Sequence, residues 1–188
     1  MKKYLILVKH SLPEIVEGLP AREWKLSEIG KERARKLADQ LRGYHPDVII
    51  SSVESKAIET AEIVAEKLVL AVYVVEGLHE HDRGNVAFLS KDVFQKAVQE
   101  FFSKPTELVF GNETANQSYE RFNRAILAVL NSYQKKTIIV VAHGTVISLF
   151  VSRLTGVHDF LLWNELGLPS FLIIDLQANT LVKKENIT

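Results

Sequence analysis

The stretch YLILVKHSLP, residues 4–13, runs five strand-forming side chains straight into Lys9 and His10, with Pro13 three positions on. A short run with no polar interruption reads as a strand covered on both faces, the kind found in parallel sheets. The same form recurs down the chain. Apolar runs at 46–52, 71–77 and 136–144 read as further strands, each followed by polar or glycine-bearing sequence. Between them lie segments with helical spacing at 26–44, 54–70, 118–133 and 145–156, and a further helix is predicted over 91–103. In the first of these helices Ser27 is the expected N-cap, Gly30 weakens the first turn, and Ile29, Ala34, Leu37, Ala38 and Leu41 form the apolar stripe. Residues 170–185 read as two strands around a turn at 177–179.

Strands alternating with helices predict an α/β three-layer sandwich. Its central sheet is mostly parallel, helices cover both faces, and a C-terminal antiparallel hairpin forms the edge. The 188 residues, 47% of them apolar, suit one domain. The polar segment at about 84–117 is expected to form a small cap over it.

Lys+Arg and Asp+Glu both number 23. A net charge of zero argues against nucleic acid or an anionic membrane as the main partner, because both need a positive field. The absence of cysteine excludes disulfides, thiolate catalysis and cysteine-held metals. Lys2 and Lys3 precede an apolar run as in a signal peptide, but the run is short and Lys9-His10 interrupts it. No stretch reaches the length of a membrane span. The expectation is a soluble, cytoplasmic protein, with its oligomeric state open.

Ligands of open α/β sheets sit beyond the carboxyl ends of the strands. The first strand brings Lys9, His10 and Ser11 to that rim. The second brings Ser51 and Ser52, with Lys56 in the helix after it. The third leads into Leu78-His79-Glu80-His81-Asp82, and the fourth ends on His143-Gly144-Thr145. Two histidines, two lysines and a carboxylate are thus expected together.

In these residues the chain resembles the histidine phosphatase superfamily, the phosphoglycerate-mutase-like enzymes. That family's LVRHG stands here as LVKHS at 7–11, and its S-P-L-x-R-A-x-x-T-A as SVESKAIETA at 52–61. Its L-x-E is LHE at 78–80, and its V-x-H-G is VAHG at 141–144. LSEIGKERARKLADQL resembles a supporting helix of the family, with Arg33 where glutamine is usual, and QSYERFNRAI resembles another.

The resemblance implies one phosphoglycerate-mutase-like domain over 1–188 and a phosphoric monoester hydrolase acting on a small phosphorylated metabolite. His10 would be the nucleophile that becomes phosphohistidine. Glu80 would be the proton donor, and His143 a donor to the phosphoryl group. Lys9 and Lys56 would hold its oxygens. No cofactor or metal is implied. The mutase branch is usually longer above the site, so hydrolysis is expected rather than phosphoryl return. Physically, a nucleophilic imidazole must be neutral, and the nearby lysines disfavour its charged form. A carboxyl proton donor works best with a raised pKa.

The departures are chemical. Both family arginines are lysines here, which replaces a planar fork by a point charge. Each lost fixed bond costs about 1–3 kcal/mol, so two that fall on the transition state cost about two to four decades in rate. Ser11 replaces a glycine and either crowds the phosphate or gives it a hydroxyl. No asparagine lies between Ser11 and Lys25.

Two alternatives follow. One is a catalytically impaired member of the fold that binds phosphorylated ligands. The other is a metal-dependent hydrolase using His79, His81, Asp82, His10 and His143, although no helical H-x-x-x-H spacing occurs. Asp82 is the substitute acid. Taken alone, His79 and His81 read as surface residues, His45 and His158 as structural or exposed, and Arg124 as a packing or salt-bridge residue.

Overall fold

Four of the five residues of strand β1 (Leu5–Lys9) are fully buried, and they divide by parity. Leu5 and Leu7 join one apolar cluster while Ile6 and Val8 join another, as a period of two requires when both faces are covered. The computed structural model describes residues 4–87 and 89–188. Lys2 and Lys3, and Phe88 of the expected cap, lie outside the described residues.

The remaining elements follow in chain order. They are α1 (Glu28–Arg42), β2 (Val48–Ser51), α2 (Ser55–Leu68), β3 (Val72–Val74), α3 (Lys91–Ser103), α4 (Ala115–Ser132), β4 (Ile138–Ala142), α5 (Gly144–Thr155), α6 (Asp159–Glu165), β5 (Ser170–Asp175) and β6 (Thr180–Asn186). The strands form one sheet in the order β3-β2-β4-β1-β5-β6. Pairings β3–β2, β2–β4 and β4–β1 are parallel, while β5 pairs antiparallel with β1 and with β6. This is the expected three-layer arrangement, with the hairpin at one edge. The short helix α6, between α5 and β5, adds an element with no strong sequence period.

Leu37, Leu41, Ala57, Ala61 and Val64 carry α1 and α2 onto one face of the sheet. Phe122, Ile126, Ile147 and Phe150 carry α4 and α5 onto the other. A third cluster of Val98, Phe101, Phe102, Ala115 and Leu149 ties α3 to α4 and α5, with Phe160 and Trp163 of α6 against it. A fully buried aliphatic or aromatic side chain contributes about 1.5–3 kcal/mol, so these clusters hold the layers together.

Two expectations for α1 change. Ile29 is exposed, so it is not part of the stripe. Gly30 is buried where a Cβ would lie 2.1 Å from the Leu12 carbonyl oxygen, so glycine here permits close approach of the loop after β1. Ser27 caps α1 as expected, accepting from the Gly30 N–H at 3.1 Å. No helix of the described residues is long and apolar enough to cross a membrane.

Candidate active site

Strand order brings the site together. Strand β4 runs between β1 and β2, and the pairing continues past the strand ends. The His10 N–H donates to the Ala142 carbonyl at 3.0 Å, and the Ser52 N–H donates to the Val141 carbonyl at 2.9 Å. His10 and Ser52 therefore flank His143. The two imidazole rings stand 5.2 Å apart, centroid to centroid, edge to face.

His10 Nδ1 lies 2.8 Å from the carbonyl oxygen of Ser11. A carbonyl only accepts, so Nδ1 carries the proton and Nε2 keeps its lone pair. Burial first, then His143 and Lys56, hold His10 well below the usual histidine range, with a smaller push from Lys9. His143 is fully buried and held low by burial and by Lys56. Its Nε2 lies 2.8 Å from Ser52 Oγ and 3.6 Å from Glu54 Oε1. The two lysines thus assist the neutral imidazole, but burial leads.

The carboxylate of Glu80 is seated at the start of α5. It accepts from the Thr145 N–H at 3.1 Å and from the His81 N–H at 2.9 Å. Burial raises its pKa, but Arg83, His143 and those two N–H groups outweigh it, and Glu80 titrates below its usual range. The raised pKa expected of a proton donor is absent from the resting site, because a helix N-terminus and a guanidinium stabilise the anion. Asp82 is exposed and accepts instead from the Gly84 N–H at 3.0 Å and the Asn112 amide at 3.1 Å. Of the two candidate acids, Glu80 faces the histidines.

Lys9 donates to the Leu166 carbonyl at 2.7 Å, and burial, opposed by Glu80, lowers its pKa to about 8. It also lies against Gly144, where an added Cβ would meet Lys9 Cε at 3.2 Å. Lys56 is buried and donates to the Ala21 carbonyl at 2.7 Å and to Glu54 Oε2 at 2.5 Å.

Ser11 serves the scaffold. Its hydroxyl donates to the Gly30 carbonyl at 2.6 Å, and its N–H donates to Thr60 Oγ1 at 3.0 Å. The hydroxyl proton expected for the phosphate is therefore committed to α1.

Glu54 is the group that the sequence reading passed over. It is 8% exposed, bonded to Lys56 through Oε2, and accepts the Glu80 N–H at 2.8 Å through Oε1. A carboxylate two residues before Lys56, just past the end of β2, was the available signal.

Around the acid loop, His81 is 3% exposed rather than superficial. Its ring packs on Phe101 at 4.2 Å and Phe110 at 4.8 Å. His79 is half-buried, while His45 and His158 are exposed as expected. No group of three or more His, Asp or Glu side chains among the described residues is placed to hold a metal ion. Arg124 is exposed. The structural arginine is Arg121, which donates to the carbonyls of Gly77 at 2.8 Å, His79 at 2.9 Å and Glu80 at 3.2 Å. It is also paired with Glu113 at 2.5 Å.

A family model described as the histidine phosphatase superfamily (branch 1) matches residues 6–185. Phosphoserine phosphatase 1 of Hydrogenobacter thermophilus is 29% identical over 98% of the chain and 92% of its own length. A phosphatase named PhoE of Bacillus subtilis is 25% identical over 70% of the chain, and the match spans 65% of that relative. A phosphoserine phosphatase from Entamoeba histolytica, solved with 3-phosphoglyceric acid, has a TM-score of 0.77 at 20% identity, covering 99% of this chain and 96% of that one.

Proposed function

The chain belongs to the histidine phosphatase superfamily, and on that premise we propose that it hydrolyses a small phosphorylated metabolite through a phosphohistidine on His10. The observation that carries this reading is the state of His10. Its Nδ1–H is held by the Ser11 carbonyl, and it is kept neutral beside His143. Its Nε2 lone pair attacks phosphorus, the bond from phosphorus to the ester oxygen breaks, and Glu80 gives that oxygen its proton. Water then attacks the phosphohistidine, Glu80 takes the water's proton, and the N–P bond breaks to release phosphate and free His10. Lys9, Lys56 and His143 hold the equatorial oxygens, where charge is spread during transfer.

Glu80 must acquire a proton for the first step. A phosphate dianion beside it raises its pKa, which converts the resting anion into an acid on substrate arrival. The segment at about 84–117 serves as the cap that selects the alcohol. Phosphoserine and 3-phosphoglycerate head the substrate panel, since relatives are named for the first and a solved neighbour binds the second.

Intact-protein mass measurement during turnover is expected to show one added phosphoryl group in the wild type and none in His10→Ala, with hydrolysis abolished. Equal activity of the two proteins defeats the assignment.

A second reading, a phosphoryl-binding protein with impaired turnover, draws on the lysines. Both ammonium groups are already engaged by protein acceptors. Lys9→Arg combined with Lys56→Arg separates the two. A large gain in rate indicates a weakened enzyme, and retained binding without turnover indicates the binding protein.

A further inference from the structure

Glu54 stands where a site for anions least tolerates a carboxylate. Its two oxygens contact two of the groups assigned above to the phosphoryl oxygens, Lys56 at 2.5 Å and His143 at 3.6 Å. The surroundings leave little room beside it, because His10 is 7% exposed, Lys56 6% and His143 0%. From this geometry, and resting on the phosphatase reading, we infer that the Glu54 carboxylate is the resting occupant of the phosphate place and that an incoming phosphate must displace it from Lys56 and His143.

The charges point the same way. Lys9 and Lys56 supply two positive charges, Glu54 and Glu80 two negative ones, and His10 and His143 are neutral, so the inner site sums to zero. Arg83 adds one positive charge facing Glu80 and His143 from the loop beyond. His79, half-buried on the acid loop, also faces Glu54. A phosphate dianion entering this set meets two carboxylates. Like charges forced together in a buried site cost enough to drive protonation of one of them.

Burial works to raise the Glu54 pKa. In the resting site Lys56 and the Glu80 N–H outweigh it and keep the carboxylate ionised. Once phosphate takes Lys56, burial and the new anion are opposed chiefly by the Glu80 N–H, and Glu54 binds a proton. Phosphate binding is thereby coupled to proton uptake, and affinity rises as pH falls.

The probe is inorganic phosphate, measured by titration calorimetry at pH 7.5 in two buffers of different ionisation heat. Wild type is expected to take up protons on binding, after allowance for the protons that monoanionic phosphate gives up when it binds as the dianion. Glu54→Gln is expected to bind phosphate about tenfold or more tightly and to take up about one proton fewer. Glu80→Gln, which removes one repelling carboxylate but leaves Glu54 on Lys56, is expected to tighten binding less than Glu54→Gln does. Weaker or unchanged binding in Glu54→Gln overturns the inference, because it makes Glu54 a residue that merely orients Lys56. If Glu54→Gln does not fold, Glu80→Gln decides, because it keeps Glu54 and lacks the other carboxylate that phosphate protonates: binding to it with no proton uptake overturns the inference. Failure of phosphate to bind either protein overturns the phosphatase reading, and the inference with it.

Discussion

Removing the Arg121 guanidinium should loosen the acid loop and slow one class of substrate far more than another. The side chain bridges α4 to the loop, with three carbonyl acceptors at 2.8, 2.9 and 3.2 Å and the carboxylate of Glu113 at 2.5 Å. Glu113 in turn accepts the Asp82 N–H at 3.0 Å, so both sides of Glu80 are held through one pair. The paired side chains are 20% and 13% exposed. Breaking a buried pair by removing one partner costs about 3–5 kcal/mol, and the lower end applies where some water reaches the pair. Arg121→Ala is therefore expected to lose about 3 kcal/mol, a fall in melting temperature of about 6–12 °C for a chain of this size.

The catalytic consequence is separable from the loss of stability. A shift of about 1 Å in a reacting group costs about a hundredfold in rate. That cost falls on substrates whose leaving oxygen needs a proton. An alkyl phosphate is expected to lose about a hundredfold in kcat/KM, which reports the first transfer to His10, while p-nitrophenyl phosphate, whose leaving group departs without a proton, loses far less in kcat/KM although both share the hydrolysis of the phosphohistidine. Arg121→Lys restores the charge opposite Glu113 and part of both losses. An equal loss of kcat/KM on the two substrates, or an Arg121→Ala protein that melts like the wild type, refutes the positioning role.

Three other outcomes are expected. His10, His79, His81 and His143 all have pKa values below the unfolded value of about 6.5, so the unfolded chain binds more protons as pH falls through that point. Stability is complete above about pH 6.5 and falls below it by up to about 1.4 kcal/mol per pH unit per buried histidine, and His10→Ala should flatten the slope of urea midpoints between pH 7.5 and 5.5. Lys9, with its pKa lowered to about 8, loses its charge above that pH, so KM is expected to rise there in the wild type and to stay level in Lys9→Arg, read from an alkaline pH profile. Gly30→Ala places a Cβ 2.1 Å from the Leu12 carbonyl oxygen and is expected to cost at least about 2 kcal/mol, read by thermal melting.

The layer order was legible because the four inner strands β1, β2, β4 and β5 are buried on both faces. The alternation of Leu5 and Leu7 against Ile6 and Val8 needs no interpretation once a strand is assumed. His10 and His143 were legible as strand-end residues, since a sheet gathers its carboxyl ends on one rim. Other features escaped because period and propensity do not report contact at a distance. Ser11 looked available until Gly30 let α1 come within reach of its hydroxyl. His81 looked superficial because its neighbours are charged, and its burial comes from Phe101 and Phe110, 20 and 29 residues away in sequence. Glu54 was hidden by its resemblance to any carboxylate near a helix start. Only the convergence of Lys56, His143 and the Glu80 N–H sets it apart.

The aromatic cluster under α3 is separate from the two clusters that cover the sheet, and Tyr119 is the side chain packed against both it and the core beneath α4. Drift among Phe94, Phe102 and Phe160 can therefore repack the α3 segment while the strand ends that hold His10 and His143 stay in register. The choice of alcohol proposed for that segment can change in this way without a change of fold.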